Sequence, residues 1–219
     1  MKSGLVLNWE GLFIFLFNRH AAVNPIAANM LNVIAKLEAT KLEWSVIRPG
    51  IFLDYYVKDL PSYVKQSGII VDLVNHFAAL PGTGETPVPM TWTFDIGKYV
   101  AALVGTSDTW ERYYYIRGDT PSYGKVVAAA EKGLGVKFAV SYDSVETLRK
   151  GEMTDMPAFE GLAAAFGGGE QGMTFVKKLM ASNALWIEEG DADYPGPFLN
   201  EMFPEIKPVT LEEAWSRVA

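Results

Sequence analysis

Between Leu42 and Tyr56 the chain reads LEWSVIRPGIFLDYY, and this stretch holds the residues best placed for chemistry. Asp54 stands beside Tyr55 and Tyr56, an arrangement able to hydrogen-bond a substrate hydroxyl. Packing and capping are the competing use of the same residues. Upstream, the apolar and β-prone run from Trp44 to Ile47 suits a covered strand, Pro49 holds Arg48 extended, and Gly50 lets the chain turn away. Open α/β sheets collect ligands just beyond the carboxyl ends of their strands. Arg48, Pro49, Gly50, Ile51 and Phe52 are therefore expected to wall a site, with an ordinary strand-to-loop exit as the alternative.

Other familiar arrangements fail on spacing. A short-chain dehydrogenase places lysine four residues after tyrosine, so that the cation lowers the pKa of the phenol; none of the ten tyrosines has lysine there. Gly167-x-Gly169-x-x-Gly172 matches the dinucleotide-binding pattern, and Glu188, Glu189 and Asp191 follow at about the distance of a ribose-binding acid. That fingerprint needs a strand before its first glycine. Here Gly161 to Phe166 is alanine-rich and helix-like, which predicts a flexible loop instead. Gly82-Thr83-Gly84 reads as a plain turn, His76 as a structural residue within a strand, and Lys36 as a solvated side chain. Ser3, Ser45 and Ser67 lack the setting of a nucleophile.

The totals narrow the partners. With no cysteine, disulfides, thiolate metal sites and cysteine nucleophiles are excluded, and two histidines make a histidine-rich metal centre unexpected. A net charge of −7 argues against nucleic acid, which demands a concentrated basic footprint. A neutral or weakly charged small organic substrate fits better. The apolar run GLFIFLF, at residues 11–17, is far short of the ~20 residues that cross a bilayer and has no cleavage site after it. It reads as a short buried strand, with no membrane attachment and cytoplasmic residence.

The elements that position these residues alternate. Asn24-Pro25 opens a helix with the apolar stripe Met30, Val33, Ile34 and Leu37, which runs to about Thr40 and into the strand from Glu43. The run from Gly68 to Gly84 reads as a strand ending in a turn, and Val88 to Thr93 as a second strand. A helix follows with Ile96, Tyr99, Val100 and Leu103 on one face, capped by Thr93 or Asp95 and closed by Gly105. Arg112 to Arg117 is the next strand. Thr120-Pro121 starts a helix reaching Gly133, and Val136, Phe138, Val140 and Tyr142 alternate as a strand. Asp143-x-x-Glu146 and Thr210-x-x-Glu213 are capping boxes. Between them, the Ala- and Gly-rich sequence from Met153 to Met180 reads as loosely packed, lid-like material.

From about Ile26 onward the chain resembles the NmrA-like, isoflavone-reductase-like branch of the atypical short-chain dehydrogenases, particularly its fungal members. The blocks LEWSVIRPGIFLDYY, IIVDLVNHFAALPGTGETPVPMTWTFDIGKYVAALV, YIRGD, KFAVSYDSVETLRKGEMTDMP and FPEIKPVTLEEAW carry the likeness, in that order. It implies an α/β, incomplete Rossmann-like fold, a mostly parallel sheet with a smaller helical C-terminal substrate lobe. Residues 1–151 would form the Rossmann-like part and residues 152–219 the lobe and tail of one NmrA-like domain. It further implies NADP or NAD as cofactor, with Pro49 and Gly50 against it. Ile51 and Phe52 would face a small phenolic or polyketide-like secondary metabolite, with Asp54 and Tyr55 as the substrate-side candidates that the residues themselves suggest. A non-catalytic NmrA-type regulator or binding protein, or an inactive truncated product, are the alternatives.

Two departures from the family accompany the resemblance. Its opening portion, with the glycine-rich turn that cradles the phosphates, has no counterpart, so the chain begins where the middle of a full-length member would lie. The helix position of the reductases' catalytic lysine falls on Met30, which cannot ionise, and Lys36 six residues on is rotated by about 240° around the helix. A sheet without its first strands also leaves an exposed edge, through which self-association is expected.

Overall fold

The computed structural model describes residues 5–6, 25–66, 68–190 and 192–218. The expected strand at residues 11–17, the cap Asn24, His20, Ser3 and Ser67 lie outside them. Helix α1 (Pro25–Glu38) begins with proline at its first position, where a missing N–H costs nothing. Ile34 is buried against Trp44 and Val46, with Met30 and Leu37 packed at the border of that cluster. Val33, counted in the stripe from its spacing, is 39% exposed.

A parallel sheet takes shape from β1 (Leu5–Val6), β2 (Ser45–Arg48) and β7 (Tyr113–Tyr115), with β2 in the middle. Ile47 pairs with Tyr114 and Arg48 with Tyr115, so these two strands end side by side. Just past Gly50, β3 (Ile51–Phe52) pairs in parallel with β6 (Met90–Thr91), and a 3-10 turn (Leu53–Tyr56) follows β3. Helix α2 (Thr93–Val104) leaves β6 directly.

The run from Gly68 does not make one strand. It folds as an antiparallel hairpin of β4 (Val71–Asp72) and β5 (Phe77–Pro81). Asp72 breaks the strand, because its carboxylate accepts the N–H groups of Val74 and Asn75 and the Asn75 side-chain amide. His76, expected within a strand, sits exposed in the turn with a positive φ of 50°. Strand β8 (Ala139–Asp143) adds to β5 in parallel after the crossover helix α3 (Tyr123–Leu134). The expected alternation is not kept in burial: Phe138 is buried, but Val140 and Tyr142 are exposed.

Three caps differ from the expected ones because a better-placed oxygen stands nearby. Ser122, rather than Thr120, accepts from Lys125 at the start of α3. Ser144, rather than Asp143, accepts from Thr147 at the start of α4 (Val145–Arg149), which frees the Asp143 carboxylate to take the backbone and hydroxyl of Thr154. Neither Thr93 nor Asp95 caps α2; Asp54 supplies that bond from another element. Thr210 and Glu213 do form the reciprocal capping box, at the start of α8 (Leu211–Val218).

The sequence from Met153 to Met180 is not loose. It builds α5 (Phe159–Ala165) and the long α6 (Gly169–Glu188), which buries Val176, Leu179, Met180 and every residue from Ala181 to Ile187. The small residues permit this, since Gly172 lies directly against the carbonyl of Ala163 and lets the two helices approach. A short α7 (Leu199–Met202) precedes α8. One buried apolar cluster runs from Ile51 through β5, α3 and α6 to Trp215, each large side chain in it contributing about 1.5–3 kcal/mol. Among the described residues no helix is long and apolar enough to cross a membrane.

Candidate functional site

Where β2 and β7 end together, the backbone is fixed by a set of short bonds. The Ile116 N–H donates to the carbonyl of Arg48 at 2.9 Å, and that of Ile51 to Pro89 at 2.8 Å. Buried Thr91 ties the bend from beneath: its hydroxyl donates to the Pro49 carbonyl at 2.6 Å and accepts from the N–H of Gly118 at 3.1 Å. Gly50 takes a φ of +73° and runs so close to the backbone of Pro89 that any Cβ would collide with it. Glycine is required there by the fold.

Of the residues expected to touch a ligand, Ile51, Phe52, Asp54 and Tyr55 all lie within the buried body. The Asp54 carboxylate is fully enclosed and heavily used. It accepts the Thr93 N–H at 3.0 Å, the Thr93 hydroxyl at 2.6 Å and the Ser62 hydroxyl at 2.6 Å, placing a negative charge at the positive end of α2. Phe52 and Tyr55 pack ring to ring at 5.8 Å. Tyr56 continues inward, its hydroxyl 3.2 Å from that of Tyr123, and burial raises the pKa of both phenols. Pro49 and Gly50 are buried at the exit of β2, and Arg48 is half-buried beside them.

Arg48 is the polar end of a second group of residues. Its guanidinium lies 4.7 Å from the ring of Tyr113 and 5.7 Å from that of Tyr115, both on β7. The ring of Tyr115 lies 4.6 Å from that of Tyr194 and 6.0 Å from Phe198, and Tyr194 also meets Trp186 of α6 at 6.1 Å. Residues 192–198 are held over the strand ends by the Tyr115 N–H, which donates to the Pro197 carbonyl at 3.0 Å, and by Arg117, stacked 4.6 Å over Phe198 and paired with Asp193. Asn200 locks the far side, accepting from the N–H of Arg117 and donating to its carbonyl and to the hydroxyl of Tyr99. A cation, tilted aromatic rings and a buried phenol thus gather at the carboxyl ends of two paired parallel strands.

The remaining candidates are placed elsewhere. Gly167 and Gly168 form an exposed turn between α5 and α6, preceded by a helix rather than a strand. Lys36 is exposed on α1, Met30 packs inside it, and Gly82 to Gly84 turn between β5 and β6. Sequence reasoning named Arg48 and missed Tyr115, Tyr194 and Phe198. The available signal was Tyr194 and Phe198 flanking Pro195-Gly196-Pro197, large aromatics in a segment unable to form a helix.

Comparison with known proteins bears on the fold. No family model matches the chain. The oxidoreductase swnN of Metarhizium robertsii is 29% identical over 177 residues, which cover 79% of this chain and 51% of that protein. Isoflavone reductase superposes with a TM-score of 0.61 at 16% identity, over 98% of this chain and 66% of that one. The leucoanthocyanidin reductase of Vitis vinifera, solved with NADPH, gives 0.64 at 14% identity, over 98% and 67%. The chain thus spans about half the length of that relative and two thirds of these structures. It shares the mixed α/β fold of these two reductase structures.

Proposed function

We propose that the chain is an oxidoreductase using NADPH or NADH to reduce a small phenolic or polyketide-like metabolite in the cytoplasm. The observation that carries this reading is the placing of Arg48 over the ring of Tyr115, which in turn meets Tyr194, at the ends of β2 and β7, the position where this class of sheet holds its ligands. The oxidoreductase relative and the reductase-like fold support it.

The residues present fit the nicotinamide end of a dinucleotide: Pro49 and Gly50 give a rigid, close backbone, and half-buried Arg48 faces flat aromatic walls. For the phosphates, no strand followed by a glycine-rich turn and helix occurs among the described residues. When bound, the cofactor would supply the hydride, and this chain the positioning. Ile51, Phe52 and Tyr55 would back the substrate side with apolar surface, Asp54 would hold that wall to α2, and residues 152–219 would form the substrate lobe.

Titration of the purified chain with NADPH and with NADH, followed by the fluorescence of the reduced nicotinamide, tests the reading. Saturable enhancement with at least one of them, weakened in Arg48→Met, is expected. A flat response to both would remove the dinucleotide from the proposal.

A further inference from the structure

The hydroxyl of Tyr194 is the least explained polar atom of the cluster. The residue is more than nine-tenths buried, and its oxygen meets no hydrogen-bond partner among the described residues. Buried hydroxyls without partners are rare, because the desolvation cost is not recovered. This one lies among rings at the carboxyl ends of β2 and β7, in the segment that closes over them, and close enough to feel the charges of Arg48 and Arg117. Phenylalanine would fill the same volume without that cost. The hydroxyl therefore marks a place where an acceptor belongs.

We propose that Tyr194 donates its hydrogen bond to an electron-rich oxygen on a planar organic ligand, a phenolate or ring-attached carbonyl, with Arg48 facing the charge that collects there. The assignment deepens the reading above and rests on it for the reaction, because an oxygen that gains negative charge as its carbon accepts hydride is the atom such a donor would stabilise. Burial holds the phenol well above the ordinary tyrosine range while the two arginines pull it back, so Tyr194 stays protonated and acts as a donor. The flanking faces of Tyr115, Trp186 and Phe198 favour a flat ring over a branched aliphatic body. Ligand entry requires residues 192–198 to lift. Their polar attachments are one backbone bond, from the Tyr115 N–H to the Pro197 carbonyl, and the exposed pair of Arg117 with Asp193.

The probe is 4-nitrophenol, whose phenol and phenolate absorb differently, set against nitrobenzene, which has the same ring and nitro group but no hydroxyl. Both are titrated into the full chain with and without saturating NADPH. The wild type is expected to bind phenolate in preference to nitrobenzene and to lower the pH at which the bound probe ionises. Tyr194→Phe should reduce that preference about tenfold, as loss of one hydrogen bond to a charged acceptor implies, and return the ionisation toward its value in buffer. Its circular dichroism and Tm should be kept. Tyr142→Phe, on the exposed face of β8, should match the wild type. Retention of the preference in Tyr194→Phe would overturn the assignment, as would a wild type that binds the two probes equally or binds neither. A chain that prefers phenolate yet fails the dinucleotide titration would keep this site while losing the reductase reading.

Discussion

Asp54 is a carboxylate with no exposed surface and three donors converging on it, two from Thr93 and one from Ser62. Removing it leaves the first N–H of α2 and the Thr93 hydroxyl without their acceptor, while the Ser62 hydroxyl keeps the Val64 carbonyl, so Asp54→Ala should lower the free energy of unfolding by about 2–4 kcal/mol. Denaturant titration measures this, and limited proteolysis within residues 57–66 should quicken in parallel. A variant as stable as the wild type would show that water replaces the carboxylate at no cost. The same residue shows how far a side chain can be read from the chain alone. Its position beside two tyrosines admits a ligand-facing or a structural use, and the decisive partner, Thr93, lies 39 residues away. Thr210 and Glu213 were legible because capper and capped are three residues apart. Tyr194 was not, since its neighbours come from β7 and α6.

Helices α5 and α6 show that composition and packing can point in opposite directions. Alanine and glycine signal looseness when side-chain volume is the measure, yet small residues are what allow two backbones to touch. A Cβ at Gly172 would press on the Ala163 carbonyl, whereas one at Gly161, in α5, would meet nothing within 4 Å. Alanine is the better helix former by about 1 kcal/mol, so Gly161→Ala should gain up to that amount. Gly172→Ala should instead lose stability, by about 1–3 kcal/mol as the helices are forced apart. Opposite shifts in the denaturation midpoint establish the contact; equal gains at both positions would mean that α6 yields freely. The hairpin of β4 and β5 escaped detection for a related reason. Its turn borrows apolar residues, Leu73 and Val74, and owes its shape to the Asp72 carboxylate rather than to glycine or proline.

Across the whole molecule, several tyrosines are sealed in the protonated state. Tyr56, Tyr123 and Tyr194 are buried, and burial raises the pKa of each above its ordinary value. An unfolded chain ionises its tyrosines near ~10, and a folded-state value above that means that the folded chain binds more protons at high pH. The stability these phenols confer is therefore complete below ~10 and drains away as the pH climbs beyond it. Tm should fall steeply on that side, and tyrosinate absorbance should appear in the same step as helical circular dichroism is lost. Smooth ionisation of these rings with the helices intact would contradict it. The bonds that close α2 and α3 extend to Val209 and Leu211, whose N–H groups occupy the carboxylates of Asp95 and Asp119 at 2.7 and 2.8 Å. During synthesis those two acids leave the ribosome about a hundred residues ahead of their partners, a separation read directly from the chain. These two bonds cannot form until residues 209–211 have cleared the exit tunnel, which makes the nascent form a natural client for chaperones.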